Sequence, residues 1–232
     1  MVHNFVQISD CHIDDTAKSM GVDTHQNLAQ VVKEITTVES EAVFISGDLT
    51  HHGTTKSYEK LKALLSPIRS DIFVIGGNHD SDKLSDVFAQ NLFKKISLGV
   101  WDIISVDSVQ KDKTSGYLTV NTLTKLNKRL SLSTAKYIIV MLHHPVVPMN
   151  STWDDALSLK NPQDLFAVLN KYAKIQAVLF GHVHESAEFN RQGIKIIACP
   201  STAMQFTDEK RIGFNYYTLS DSGHLDYETQ WV

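Results

Sequence analysis

The stretch Ile72-Phe73-Val74-Ile75-Gly76-Gly77-Asn78-His79-Asp80 joins a short apolar run directly to three polar side chains that can bind metals or carry protons. The run is rich in β-branched residues and too short for a helix, so it reads as a buried strand. Two glycines then turn the chain. Turns after strands ordinarily use Ser, Thr, Asn or Gly, and Asn-His-Asp in succession is not what turn chemistry alone predicts.

The same pattern occurs four more times. Phe5–Ile8 is followed by Asp10-Cys11-His12, and Ala42–Ile45 by Gly47-Asp48. Tyr137–Leu142 runs into His143-His144-Pro145, and Ala177–Phe180 into Gly181-His182-Val183-His184. Side chains at the carboxyl ends of neighbouring strands converge on one crevice. Gly47, Gly77 and Gly181 each precede a candidate, where they permit tight turns and close backbone approach. The candidate ligands are Asp10, His12, Asp48, Asn78, His143, His182 and His184. Mixed carboxylate, carboxamide and imidazole suits Mn, Fe or Zn rather than Ca, which takes all-oxygen shells. Seven groups are too many for one ion with an open position, so two ions sharing a carboxylate are expected.

Helix-period segments separate these strands. Asn27–Val38, Ser57–Leu65 (closed by Pro67), Ser81–Phe93 with Ser81 as N-cap, Thr122–Leu130 and Pro162–Tyr172 read as helices, and Val100–Val106 as another strand. Later the helices stop. Ala187–Asn190 and Ile194–Cys199 flank Arg191-Gln192-Gly193, and Phe214–Leu219 and His224–Trp231 flank Asp221-Ser222-Gly223, two hairpin signals. Helix-covered strands plus late antiparallel strands predict two β-sheets packed face to face with helices outside. No repeat or linker divides residues 1–232, so a single domain is expected.

A net charge of −4 argues against a nucleic-acid partner, which calls for a basic face, while leaving room for a phosphate ester bound through metals. The two cysteines, Cys11 and Cys199, far apart in sequence, argue against a secreted disulfide framework and suggest a reducing, cytoplasmic setting. No signal-like leader or membrane-length apolar run occurs. Oligomeric state is not legible.

In order and approximate spacing, the five blocks resemble the signature of the calcineurin-like metallophosphoesterases: Asp-x-His, Gly-Asp, Gly-Asn-His-Asp, His, Gly-His-x-His. Gly21-Val22-Asp23-Thr24, Leu142–Pro145, Ser158-Leu159-Lys160-Asn161 and Pro200–Phe206 are further similar to bacterial class III cyclic-nucleotide phosphodiesterases. That resemblance implies a four-layer α/β/β/α sandwich of two mixed sheets. It implies one metal on Asp10, His12, Asp48 and His184 and a second on Asp48, Asn78, His143 and His182, with Asp48 bridging. His143 is preferred to His144 because it comes first after the strand.

His79 corresponds to the family's non-ligand catalytic histidine, acting with Asp48 and Asn78. Asn78, His79, His12, His184 and Asn161 would contact substrate. The implied reaction is hydrolysis of 3′,5′-cyclic AMP to 5′-AMP by in-line attack of a metal-bridging hydroxide. Another diester, such as a 2′,3′-cyclic nucleotide or a glycerophosphodiester, would need the same metal site. A non-catalytic module on the same fold is disfavoured, because the full ligand set and His79 are present. Gly47–His52 lacks the Asp-Arg that follows this motif in protein phosphatases, which counts against a phosphoprotein substrate.

Cys11 reads as a small packed residue pointing away from its neighbours, provided the backbone there is extended. His3, His25 and His224 read as solvated, His51 and His52 as bystanders, and Trp153 as an exposed loop aromatic able to stack on a base or to pack locally.

Overall fold

A computed structural model describes all 232 residues. Five strands form one sheet, in the order β13 (Leu225–Trp231), β12 (Gly213–Ser220), β1 (Val2–Ile8), β4 (Ala42–Ser46), β5 (Asp71–Ile75). Six form the other: β10 (Ala187–Arg191), β11 (Ile194–Ala198), β9 (Ile175–Phe180), β8 (Tyr137–Met141), β7 (Trp101–Ser105), β6 (Lys95–Leu98). A two-stranded ribbon, β2 (Lys18–Ser19) and β3 (Val22–Asp23), precedes the first helix. Both large sheets are mixed, with β1, β4 and β5 parallel in the first and β7, β8, β9 and β11 parallel in the second.

Strand alternation builds the layers. Val6 and Ile8 face helices α1 (Thr24–Ile35), α2 (Thr55–Leu65) and α3 (Leu84–Phe88), while Phe5 points into the space between the sheets. In β8, Ile138 and Val140 face α4 (Val120–Leu132) and α6 (Pro162–Leu169), whereas Ile139 and Met141 point inward. The inter-sheet core is aromatic: Phe5 stacks on Tyr217 at 4.5 Å and meets Phe44 edge-on at 5.4 Å. Four layers, α/β/β/α, result, as the layer pattern and the resemblance both implied. No helix is long and apolar enough to cross a membrane.

Local chemistry moved several boundaries. Helix α1 starts at Thr24 because Asp23 accepts from the Gln26 amide, and α2 starts at Thr55 because Thr54 accepts from that of Ser57. The helix expected over Ser81–Phe93 shrinks to Leu84–Phe88: the Ser81 hydroxyl donates to Gly53 O and accepts from Lys83 N in the turn before the helix, so it does not cap α3 itself. Helix α6 stops at Leu169. Four elements were not anticipated: the ribbon strands β2 and β3, edge strand β6, whose Lys95 pairs with Asp102 across the hairpin at 3.3 Å, and the short helix α5 (Thr152–Leu157).

Candidate active site

The carboxyl ends of β1, β4 and β5 in one sheet and of β8 and β9 in the other open onto a shared rim. Asp10, His12, Asp48, Asn78, His143, His182 and His184 meet there. Asp10, His12, Asp48, His182 and His184 all have left-handed backbone, with φ of 53°, 45°, 48°, 72° and 53°. Non-glycine residues in that region cost about 1–3 kcal/mol each and persist only where surrounding structure holds them. The left-handed backbone, rather than strand alternation, carries Asp10 and His12, and His182 and His184, to one cluster. It also corrects the extended backbone expected at Cys11, which nonetheless packs into the helix-side core. Gly47, at φ 107°, passes so close to the His143 ring that a β-carbon would collide with it, and one on Gly77 would land on Asp48.

The cluster has two halves. In one, Nε2 of His12 and Nε2 of His184 lie 3.0 Å apart, and Asp10 Oδ1 lies 3.6 Å from His184 and 4.0 Å from His12. In the other, His143 Nε2 lies 3.1 Å from Asn78 Oδ1, 3.2 Å from His182 Nδ1 and 3.4 Å from Asp48 Oδ1. The second Asp48 oxygen is 3.7 Å from His12 Nε2, so this carboxylate faces both halves.

The donors fit divalent cations. His184 donates Nδ1–H to Met204 O at 2.7 Å, and His143 donates Nδ1–H to Ser46 O at 2.9 Å. Each keeps a bare Nε2 toward the cluster, the arrangement of a metal-binding imidazole oriented by an outer partner. Asp10 Oδ1 is buried without a hydrogen-bond partner, an expensive state that a cation would relieve. Burial pushes Asp10 up, against the pull of His184 and His143. Burial acts the same way on Asp48, but His143 and His12 outweigh it and hold Asp48 well below the usual carboxylate range. Burial opposes charge on His143, yet Asp48 carries it up to about 9, so a cation would have to displace the Nε2 proton that the Asp48 carboxylate otherwise favours. Burial takes His182 down to about 3 and lowers His12 and His184, keeping those imidazoles neutral as ligands must be.

His79 sits against this cluster. Its main-chain N–H donates to Asp48 Oδ1 at 2.8 Å, its Nδ1–H donates to His51 O at 2.9 Å, and its ring meets His12 edge-on at 4.9 Å. His51, read as a bystander, stacks on His79 at 4.9 Å and brings Nδ1 to 3.4 Å from His12 Nδ1. His52 points outward to Asp14. His144 uses both nitrogens within the protein, on Ser108 Oγ and Thr114 O, and braces His143 and His182 from behind.

Asn161 is not brought into the cluster. Its amide is fully engaged with the Leu118 main chain, at 2.9 Å in each direction, and with Asp164, so the expected substrate contact gives way to a structural clamp. His3 is not solvated either; it is held between Glu41 at 2.8 Å and Asp221 at 3.8 Å. His25 bonds Asp14 O, and His224 is exposed.

Two further contributors fall within the motifs Gly76–Asp80 and Pro200–Phe206, which gave them no specific contact. The Met204–Phe206 segment wraps His184, with Phe206 stacked on its ring at 3.9 Å. Asp80 ties the loops after β4 and β5 together, accepting from Leu49 N, Thr50 N, Gly77 N and Tyr58 OH. Burial and then the charge of Asp48 push Asp80 up to about 6, although those donors pull the other way. Tyr58 OH also accepts from Ser81 N at 2.9 Å. Tyr58→Phe should therefore cost about 1–3 kcal/mol and lower the melting temperature by about 2–4 °C for each kcal/mol. A thermal melt unchanged from wild type would show that the hydroxyl does not hold these loops.

The family model for calcineurin-like phosphoesterases matches residues 3–186. The chain is 58% identical to a probable cyclic nucleotide phosphodiesterase of Ruthia magnifica, with all of both chains covered. It is 32% identical to a 3′,5′-cyclic adenosine monophosphate phosphodiesterase of Haemophilus influenzae, over 88% of this chain and 78% of that one. A dimetal phosphatase from Danio rerio shares the fold at a TM-score of 0.73 and 12% identity, with 98% of each chain covered. Fold, motif order and clustered ligands agree: the chain belongs to the calcineurin-like phosphoesterase family and is a metal-dependent phosphoesterase.

Proposed function

We propose that residues 1–232 form one domain that hydrolyses 3′,5′-cyclic AMP to 5′-AMP with two bound divalent ions. Asp10, His12, Asp48 and His184 would hold one ion, and Asp48, Asn78, His143 and His182 the other. The observation that carries this reading is Asp48, whose oxygens lie 3.7 Å from His12 and 3.4 Å from His143 and so serve both halves. The substrate class is supported by relatives whose names specify cyclic nucleotides. Bound Mn, Fe or Zn would supply Lewis acidity toward the phosphate oxygens and lower the pKa of the attacking water.

The protein's own groups do the rest. Asn78 is the neutral member of the set, and its amide N–H groups can donate to a phosphate oxygen while Oδ1 faces the cluster. The His51 carbonyl takes the Nδ1–H of His79, so in the protonated ring Nε2–H is the free donor. That proton would go to the 3′-oxygen as the ester bond breaks, or stabilise charge gathering on phosphorus. The free, buried Cys11 and Cys199 support a reducing setting such as the cytoplasm.

The test is a steady-state comparison of 3′,5′-cAMP, 2′,3′-cAMP, cGMP and bis(p-nitrophenyl) phosphate on the Mn-loaded protein, with products separated by chromatography. The expected result is 5′-AMP from 3′,5′-cAMP with little 3′-AMP, and loss of turnover in excess chelator. Negligible cAMP turnover beside rapid cleavage of another diester would refute the assigned substrate while leaving the phosphoesterase activity intact.

A further inference from the structure

Three rings touch in succession, beginning in the ligand cluster. His184 directs Nε2 into the cluster, and Phe206 lies on its ring face, centroids 3.9 Å apart and planes 12° from parallel. Trp153 then meets Phe206 at 5.1 Å with an angle of 87° between planes. The two outer rings thus make a corner. Both are large apolar side chains left open to solvent, Phe206 at 42% and Trp153 at 54% exposure, directly beside a buried polar site. The segments that carry them are anchored independently. Met204 O is bonded by His184, and Ser151 caps α5 by accepting from the Asp154 amide.

A phosphate ester seated on the cluster carries its alcohol part outward, and a nucleoside puts a flat base within several ångströms of phosphorus. Aromatic side chains hold bases by stacking, worth about 1–3 kcal/mol per base and tolerant of base identity. The 750 Å³ cavity that reaches Asn78 offers no equivalent surface. Its one aromatic ring, Phe93, is 5% exposed and already packed in the inter-sheet core.

Resting on the reading of the site as one for nucleoside phosphodiesters, we infer that Trp153 and Phe206 form the platform that receives the base. They would select diesters bearing a base over base-free ones, with only mild preference among bases. Trp153 is then a specificity-determining residue, supplied by an element with no other part in the site.

Binding of 5′-AMP and of ribose 5-phosphate to the Mn-loaded full chain, measured by calorimetry, tests this together with cAMP kinetics. Wild type should bind 5′-AMP more tightly than ribose 5-phosphate. Trp153→Ala should weaken 5′-AMP by about 5- to 150-fold, leave ribose 5-phosphate unchanged, and raise KM for cAMP more than it lowers kcat. Trp153→Phe should recover most of the loss. Equal affinity of wild type for the two ligands would overturn the platform, even if cAMP is hydrolysed. So would Trp153→Ala matching wild type while Leu92→Trp, which fills the cavity near Asn78, weakens 5′-AMP. If wild type turns over no cyclic nucleotide, the substrate reading fails by itself, and the ratio of the two affinities still decides the platform.

Discussion

Asp48→Ala should reduce phosphodiesterase turnover by at least about 10²–10³-fold, the loss that follows removal of one preorganised electrostatic group, and should bring metal content below one ion per chain. Asp48 faces both halves of the cluster, with His12 3.7 Å from one oxygen and His143 3.4 Å from the other. Its removal should therefore weaken both ions together. Asp10 Oδ1 lies 3.6 Å from His184 Nε2 and 4.0 Å from His12 Nε2, both in one half, so Asp10→Ala should weaken one ion and leave the other. Elemental analysis after gentle purification distinguishes these outcomes, with wild type expected to saturate at two ions. A wild-type ratio of one, unchanged in Asp10→Ala, would end the two-ion scheme. Asp48 also accepts the main-chain N–H of His79 and pairs with the buried His143, so alanine there disturbs more than metal binding. Asp48→Asn, which keeps the size and an acceptor oxygen, controls for this. If it too loses both ions while its thermal melt stays near that of wild type, the carboxylate charge is what holds them.

The strand ends were legible because two local signals coincide there: an apolar run of strand length and, immediately after it, ligating residues behind glycines. Short buried strands are among the clearest sequence patterns when their faces are covered on both sides, as β4 and β8 are. Helix limits depended on hydroxyl and carboxylate side chains choosing a partner. Asp23 and Thr54 chose their own helices, whereas Ser81 chose Gly53 O, a residue far from it in sequence. Edge strand β6 lacked a signal because it is four residues long and only its last residue is buried. The contacts of Asn161, Phe206 and His51 are fixed by tertiary packing. A sequence motif names such a residue without saying whether its side chain faces the site, as for His51, or the Leu118 main chain, as for Asn161. The choice between His143 and His144 was open for the same reason. The structure points His143 Nε2 into the cluster and occupies both nitrogens of His144.

His79→Ala should lower kcat by about 10²–10⁴-fold, the usual range for acid–base help, and leave metal content near that of wild type. The bond from the His79 main-chain N–H to Asp48 survives this substitution, so the alanine removes the imidazole without freeing the bridging carboxylate. His182→Ala and His184→Ala should behave differently, since each deletes a nitrogen from the cluster: metal binding should weaken, and excess Mn should restore part of the activity. The rival reading is that His79 binds a metal with His12 and His51, whose ring nitrogens lie close enough to its own to share an ion. Loss of an ion from His79→Ala, or rescue by added Mn, would establish that rival. The hydrogen bond to His51 O commits Nδ1 and leaves Nε2 as the only nitrogen able to act on substrate, which gives a second test. A proton donor matters most when the leaving oxygen is a poor one. The effect of His79→Ala should therefore shrink for a diester that expels p-nitrophenolate and be largest for the 3′-alkoxide of a cyclic nucleotide. A histidine that only stabilises charge on phosphorus would slow both substrates by the same factor.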